Sequence, residues 1–264
     1  MPSLRLALVA ATALAAAPAI ASPFSISGSV GGAPTGVVRD NFDWIPPQFA
    51  PQSGSVSALS PQSGITVTLV GGSSATANDR AGAVTGAVVG KYAAPFLSGG
   101  NGTGFGNDNA PITKLAPPAG NQPNGSDATV YLTTGSTGAS PGTQVEILLP
   151  GTDLYFYFGL LWGSVDAYNT LAFYDGATLI GSITGNDVTA APNGDQGVNG
   201  TLYVNITSTV GFNRIVATSS QFAFEFDNIA FNRSNPFEVP EPASLALLGA
   251  GLLGLGFAAR RRSG

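Results

Sequence analysis

Residues 170 to 184 read TLAFYDGATLIGSIT, and this stretch decides the fold class. Two runs of strand length, 170–174 and 178–184, flank the dipeptide Asp175-Gly176. An Asp-Gly pair between two such runs is a strong signal for the tight turn of a β-hairpin, because that turn needs residues that tolerate positive φ. The sequence therefore predicts two antiparallel strands joined at this turn.

A second stretch, residues 222 to 231, reads FAFEFDNIAF and alternates aromatic with other residues up to Asp227. Side chains of a β-strand point alternately to its two faces, so the phenylalanines share one face and Glu225 and Asp227 share the other. The pattern predicts a strand with one face in the core.

Short apolar or alternating runs of the same kind recur along the chain, separated by Gly, Asn, Asp, Pro and Ser, and no helical periodicity of any length appears. Regularly spaced short strands with turn signals between them predict an all-β fold, an antiparallel β-sandwich of jelly-roll type. The further predicted strands are 65–70, 129–133, 145–149, 154–161, 201–206 and 214–218.

The predicted domain organisation has one β-sandwich surface domain over residues 37–238. Its core covers about 125–235 and recruits strands from 37 to 97. A Gly- and Ser-rich lead at 22–36 precedes this domain. A separate small N-terminal module is the alternative.

The first residues have the pattern of a signal peptide that forms an apolar helix. Arg5 is the first charge, an apolar run follows from 6 to 17, and Ala19-Ile20-Ala21 fits the small-x-small site of a signal peptidase. We expect residues 1–21 to be removed by cleavage after Ala21.

The last residues have the pattern of a short membrane span with a charged stop. No charge occurs from 243 to 259, and Arg260, Arg261 and Arg262 follow at once. A helix of that length rises about 25 Å, the short limit for a hydrocarbon core of about 30 Å. The arginines would hold their end in the cytoplasm. We therefore expect a transmembrane helix at 243–259.

Residues Pro240, Glu241 and Pro242, the apolar span and the arginine cluster occur in the order of a known signal. The segment 239–264 resembles the PEP-CTERM sorting signal of exosortase-dependent proteins. The resemblance implies transient anchoring in the inner membrane and cleavage near Pro-Glu-Pro by an exosortase-type processing enzyme. It also implies release to the cell surface or extracellular matrix of a Gram-negative bacterium, in contact with exopolysaccharide.

Two internal stretches carry weaker resemblances. Residues 160–170, LLWGSVDAYNT, followed by Phe-Tyr-Asp-Gly at 173–176, resemble the core of one subfamily of exosortase-dependent surface proteins. Residues 222–231 resemble the final strand of many PEP-CTERM proteins and of jelly-roll carbohydrate-binding modules. Neither resemblance implies an activity.

The composition excludes several classes of chemistry. The chain contains no Cys and no His, so a disulfide framework, a zinc site with Cys or His ligands and a His-based catalytic triad are all excluded. The string Gly-Ala-Ser-Pro-Gly at 138–142 matches the Gly-x-Ser-x-Gly pattern of serine hydrolases by chance, because no base is available.

The charge balance argues against nucleic acid and anionic membrane as partners. Four of the ten basic residues lie in the two ends expected to be removed, which leaves six against fifteen acidic residues and a net charge of −9.

Carboxylates are the remaining catalytic option. Glu146 and Glu225 are the only glutamates within the core of the predicted domain, about 125–235, and we expect each on the solvent-facing side of a strand. The sequence therefore predicts a non-enzyme, with a carboxylate-based glycoside hydrolase as the remote alternative.

Ligand predictions rest on acidic and aromatic residues in loops. Repeated Asp and Asn favour a structural Ca²⁺, although these residues also form turns without metal. The candidate ligands are Asp43, Asp166, Asp195 and Asp227. The candidate glycan contacts are Tyr168, which we expect to be exposed in a polar turn, and Trp162, which we expect to be buried at a strand end.

Taken together, these patterns predict an exported, non-enzymatic surface or extracellular-matrix protein associated with exopolysaccharide. A Ca²⁺-stabilised carbohydrate-binding module is the alternative.

Overall fold

The computed structural model describes residues 22–29, 31–51, 54–71, 81–106, 120–135 and 143–238, which are built almost entirely of strands. One helix of four residues, α1, occurs in these ranges. The strands are β1 Phe24–Ser29, β2 Val38–Asp40, β3 Ser55–Leu59, β4 Thr66–Val70, β5 Gly82–Val84, β6 Phe96–Leu97, β7 Gly125–Ser126, β8 Tyr131–Thr134, β9 Gln144–Leu148, β10 Tyr155–Gly163, β11 Asn169–Asp175, β12 Thr178–Thr184, β13 Leu202–Phe212, β14 Arg214–Ser219 and β15 Phe224–Asn232, and α1 is Gly185–Val188.

The strands form two large sheets and one small one. The larger sheet has the order β1-β13-β10-β15-β8-β5, with β2 also paired to β15. The second sheet has the order β12-β11-β14-β9-β4-β3, and β6 pairs with β7 separately. Every pair among these described strands is antiparallel, so the all-β prediction is confirmed.

The hairpin β11–β12 lies midway along the chain between β8 and β15, at one edge of the second sheet. Its turn contains Asp175 and Gly176, and Gly176 has φ +55°, which a side chain rarely adopts. Outward from this hairpin, β10 pairs with β13, β9 with β14 and β8 with β15. Counted from the hairpin, successive pairs lie alternately in the second sheet and in the larger sheet. The chain therefore passes repeatedly from one sheet to the other.

The main buried core contains residues of both large sheets. Phe158 of the larger sheet meets Phe173 of the second sheet edge to face, with ring centroids 6.1 Å apart. Phe173 also contacts Phe212, and Phe224 contacts Phe226 on the predicted apolar face of β15. Residues from both sheets belong to a single buried cluster, and burial of such rings is the main favourable contribution to folding.

The opposite face of the larger sheet is also covered. A second buried cluster contains Leu97 and Phe105 from the connecting segments together with Leu161 and Tyr203 from the sheet. At Glu225 the same face is covered by the segment that contains Ala93, and Glu225 is only 2% exposed. The expectation that Glu225 faces solvent is therefore wrong, because loops rather than water occupy that side of β15.

All nine stretches predicted as strands contain strands, and the segments before residue 100 add others. The strands β3 and β4 extend the second sheet, while β2 and β5 join the larger one. The lead predicted at 22–36 contains β1, which pairs with β13 over its whole length.

The two ends fall outside the described residues. The signal peptide expected at 1–21 and the sorting tail expected at 239–264, with its span at 243–259, are therefore not described structurally. Within the described ranges, the short helix α1 is neither long nor apolar enough to cross a membrane, and no other helix occurs there.

Candidate functional site

A cleft of about 430 Å³ lies where β10 and β15 approach the segment 87–93. One stretch and nine further residues line it: 87–93, Ser164, Asp166, Tyr168, Asn193, Gly194, Gln196, Phe222, Ala223 and Glu225. Several of these carry polar or ionisable side chains, so the cleft is a polar surface over an apolar core.

Local backbone conformation places these side chains at the cleft. Ser164 follows the end of β10 with φ +40°, a left-handed conformation that turns the chain away from the sheet. Asp166 then forms an isolated antiparallel bridge with Asn193. Gly194 has φ +67°, and a Cβ atom there would lie 2.8 Å from the Asp166 carboxylate, so a larger residue would displace the loop.

Glu225 lies at the floor of the cleft and is held from two sides. The Ser164 hydroxyl donates to its Oε2 at 2.7 Å, and the Ala93 backbone N–H donates to its Oε1 at 2.9 Å. Burial raises the pKa of Glu225 to about 7, against the lowering effect of these two hydrogen bonds, and the charge of Asp166 raises it further. Glu225 is therefore partly protonated near neutral pH.

Asp166 and Tyr168 form a second polar pair at the cleft. The Tyr168 hydroxyl donates to Oδ2 of Asp166 at 2.7 Å and lies 3.1 Å from the backbone oxygen of Phe222. Burial raises the pKa of Asp166 above its usual value, and the Tyr168 hydrogen bond opposes that rise. The cleft thus presents two carboxyl groups with raised pKa values and a phenol side by side.

Tyrosine rings extend the polar wall behind Glu225. Tyr92 borders the cleft, and its ring meets Tyr131 edge to face with centroids 6.4 Å apart. The Tyr131 hydroxyl donates to the backbone oxygen of Gly86. Burial, followed by the charge of Glu225, raises the pKa of Tyr131, so this phenol stays neutral.

Of the two predicted glycan contacts, only Tyr168 lines the cleft, where it is half-buried. Trp162 is fully buried, and its ring centroid lies 4.4 Å from that of Phe224. The burial expected for Trp162 is confirmed. Its role as a glycan contact is wrong, because the ring belongs to the core.

The four predicted metal ligands do not form one site. Asp166 lies in the cleft, Asp195 is exposed and accepts the Gly197 N–H, and Asp43 accepts the Val130 N–H at 3.1 Å. Asp227 is fully buried under the loops that cover the larger sheet. No group of three or more His, Cys, Asp or Glu side chains in the described residues is arranged to hold a metal ion.

Glu146, the other glutamate considered for catalysis, lies outside the cleft. It accepts a hydrogen bond from Arg214 at 2.9 Å across neighbouring strands, and both side chains are about one-quarter exposed. The Arg214 guanidinium also lies over the Tyr174 ring at 4.1 Å. Glu146 therefore has a structural partner and is not paired with Glu225.

Sequence reasoning missed Ser164 and the segment 87–93 as parts of the site. Ser164 stands two residues before Asp166 in the LLWGSVDAYNT block, and this proximity was an available signal. No sequence pattern links Ala93 to Glu225, which lie 132 residues apart.

Comparison with known proteins identifies one segment of the chain. Residues 238–262 match the PEP-CTERM protein-sorting motif. This motif implies an exported chain that an exosortase processes after transient anchoring in a membrane. No curated protein and no solved structure is detectably similar to the chain.

Proposed function

We propose that this chain is a non-enzymatic protein of the cell surface or extracellular matrix of a Gram-negative bacterium, and that its cleft binds the exopolysaccharide of the same cell. The observation that carries the proposal is the cleft itself, which gathers Asp166, Tyr168 and Glu225 beside the segment 87–93. The sorting motif supports the location, because exosortase processing directs a protein outward.

The architecture that we infer is a jelly-roll sandwich. Numbered one to eight, strands β8 to β15 take the order 6-3-8-1 in the larger sheet and 5-4-7-2 in the second sheet. Strands one and eight, two and seven, three and six, and four and five are therefore paired, as in a long hairpin rolled over a core. This order supports a jelly roll, a fold that occurs in lectin domains.

The chemistry of the cleft suits a sugar better than an ion or an apolar ligand. Oδ1 of Asp166, which does not hold the Tyr168 hydroxyl, can accept a hydrogen bond from a sugar hydroxyl, and the Tyr168 oxygen can accept one as well. Tyr92 adds a ring at the rim, and Lys91 is the one basic residue lining this cleft. With two carboxyl groups against one amine, we expect a neutral or weakly charged polysaccharide.

Binding of the purified full chain to exopolysaccharide from a producing bacterium tests the proposal. Asp166→Asn removes one cleft charge and keeps the side-chain shape, so we expect a loss of binding of about tenfold or more, in the range of one lost charged hydrogen bond. Asp175→Asn is the matched control, because Asp175 is exposed in the β11–β12 turn, where Asn is also favoured.

The proposal fails if the wild-type chain does not bind the polysaccharide, or if both variants bind as the wild type does. Thermal unfolding of each variant shows whether the domain is intact, so a folding defect is not taken for lost binding.

A glycoside hydrolase is the second candidate. It is favoured by one observation, a carboxyl with a pKa of about 7 in the same cleft as a second carboxyl. Two features oppose it: Glu225 is only 2% exposed, and both of its oxygens accept protein hydrogen bonds. Release of reducing ends from the bound polysaccharide, abolished by Glu225→Gln, would favour the hydrolase over the binding protein.

A further inference from the structure

A group of polar side chains is buried on the outer face of the larger sheet, and none of its members lines the cleft. It contains Asp127, Thr129 and Gln122 from the loop before β8, and Asp227 and Asn228 from β15. Each of the five has less than 7% of its surface exposed, and Asp227 and Asn228 have none. Buried polar groups are normally satisfied by hydrogen bonds, so the partners of each atom can be followed.

The side-chain hydrogen bonds of this group form a chain of donors and acceptors that starts at Asn228 and ends at Asp127. The Asn228 amide donates to Gln122 Oε1, and the Gln122 amide donates to Thr129 Oγ1 at 3.4 Å. The Thr129 hydroxyl and backbone N–H both donate to Asp127 Oδ1, at 2.6 and 2.8 Å. These bonds fix the orientation of every side chain in the group except that of Asp227.

Four buried oxygen atoms of the group lack a hydrogen-bond donor among the described residues, apart from the Asn228 backbone N–H and a proton shared between the two aspartates. They are Oδ1 and Oδ2 of Asp227, Oδ2 of Asp127 and Oδ1 of Asn228. The Asp127 and Asp227 carboxyl groups are in contact and can share one proton, and the Asn228 backbone N–H donates to Asp227. When both carboxyl groups are ionised, two adjacent buried carboxylates are strongly unfavourable unless a cation lies between them.

Asp40 shows how the same chain stabilises a buried carboxylate without a cation. It is also fully buried, and its two oxygens accept hydrogen bonds from four donors, namely the Phe42 N–H, the Trp44 indole and the hydroxyls of Ser60 and Ser63. Asp227 is equally buried and has no such set of donors.

We infer that Asp127, Asp227 and Asn228 bind one Ca²⁺ ion that ties the loop before β8 to the bulged part of β15. Two carboxylates and a carboxamide oxygen are hard donors of the kind Ca²⁺ takes, and four side-chain oxygens supply part of its six to eight ligands. Only two of the three residues are acidic, so the site is compatible with the absence of a three-carboxylate cluster in the described residues.

Other metals fit this donor set less well. Zinc favours the nitrogen and sulfur ligands that a chain without His and Cys cannot offer. Mg²⁺ is smaller and demands near-octahedral geometry at short metal–oxygen distances, whereas Ca²⁺ accepts a flexible arrangement of oxygen ligands. Asn228 has φ +50° within an irregularity of the β10–β15 ladder, so the backbone departs from regular strand at the proposed ligands.

The test is Ca²⁺ binding by the full chain, purified in detergent and stripped of metal with EGTA. Calorimetric titration should give one Ca²⁺ per chain, and Tm should rise by about 5 to 10 °C at a hundredfold excess over Kd. Mg²⁺ at the same concentration should give a much smaller rise.

Substitutions identify the ligands. Asp227→Asn should abolish Ca²⁺ binding, and without metal it should unfold at or above the wild-type Tm, because it removes a charge beside Asp127. If Asp227→Asn does not fold, Asp127→Asn provides the same comparison. Asp195→Asn, at an exposed aspartate, is the control and should bind Ca²⁺ as the wild type does.

Three results would each overturn the inference. The wild-type chain could bind no Ca²⁺, the aspartate variants of the group could keep Ca²⁺ binding, or Mg²⁺ could stabilise the chain as much as Ca²⁺. Because polysaccharide binding is measured separately with cleft variants, failure here leaves the proposed function untouched.

Discussion

Replacing Glu225 with Gln should make the stability of the domain less sensitive to pH. Burial raises the pKa of this carboxyl from 4.5 to about 7 in the folded chain. A difference of about 2.5 pKa units, at about 1.4 kcal/mol per unit, corresponds to about 3 kcal/mol of folding free energy. Gln has the same shape and can accept from the Ala93 N–H while donating to Ser164.

The sign of the effect follows from which state holds the proton. Below pH 4.5 the carboxyl is protonated in both states, and its neutral form suits the buried site. Between pH 4.5 and 7 the unfolded chain loses the proton while the folded chain keeps it, so the free energy of unfolding falls as pH rises. Above pH 7 Glu225 is ionised in both states, and its contribution no longer changes.

Urea unfolding of the wild type and Glu225→Gln at pH 4 and pH 8 measures this effect. The stability of the variant relative to the wild type should increase by about 3 kcal/mol between the two pH values. Glu146→Gln is the control, because Glu146 is a partly exposed ion-pair partner and should change the difference by less than about 1 kcal/mol. If the free energies of unfolding of Glu225→Gln and the wild type differed by the same amount at both pH values, the raised pKa assigned to Glu225 would be refuted.

Two further predictions concern the core and the tail. Phe226→Ala removes a fully buried ring from the shared core and should lower the free energy of unfolding, measured in urea, by about 3 to 5 kcal/mol. Leu179→Ala, at a side chain that is 55% exposed, is the control and should change it by less than about 0.5 kcal/mol. Equal effects of the two substitutions would contradict the assigned core. Replacing Arg260, Arg261 and Arg262 with Ala should weaken retention of the tail in the membrane. Glu241→Ala should leave membrane insertion intact, and unprocessed chain should then accumulate in membrane fractions. Normal processing of both variants would contradict the roles assigned to these residues.

The parts of the fold that sequence predicts are those encoded locally. The Asp175-Gly176 turn and the alternation in residues 222–231 each depend on neighbours within a few positions, so strand and turn could be recognised directly. The cover over the outer face of the larger sheet could not be predicted. It consists of short segments without periodicity, fixed by distant contacts such as the Asp127 N–H to the Pro95 oxygen.

In the candidate site, too, some residues could be predicted from their neighbours in sequence and others depend on distant contacts. The sequence predicts Asp166 and Tyr168 as contacts for different ligands, and the structure joins them by a hydrogen bond. For Glu225, alternation along the strand predicts a face that meets water. In this protein both faces of β15 are covered, so an acidic residue on the second face is a buried functional candidate.

The mass of the surface-exposed protein, recovered from a producing bacterium, tests most directly whether the chain is exported and processed at its sorting motif. Processing predicts a mature chain that begins at Ser22 and lacks the residues from Ala243 onward, because the arginines at 260–262 hold Pro-Glu-Pro at the outer face of the membrane for cleavage. Recovery of peptides from Leu245 to Arg260 at full stoichiometry would instead show a permanent anchor and contradict exosortase processing.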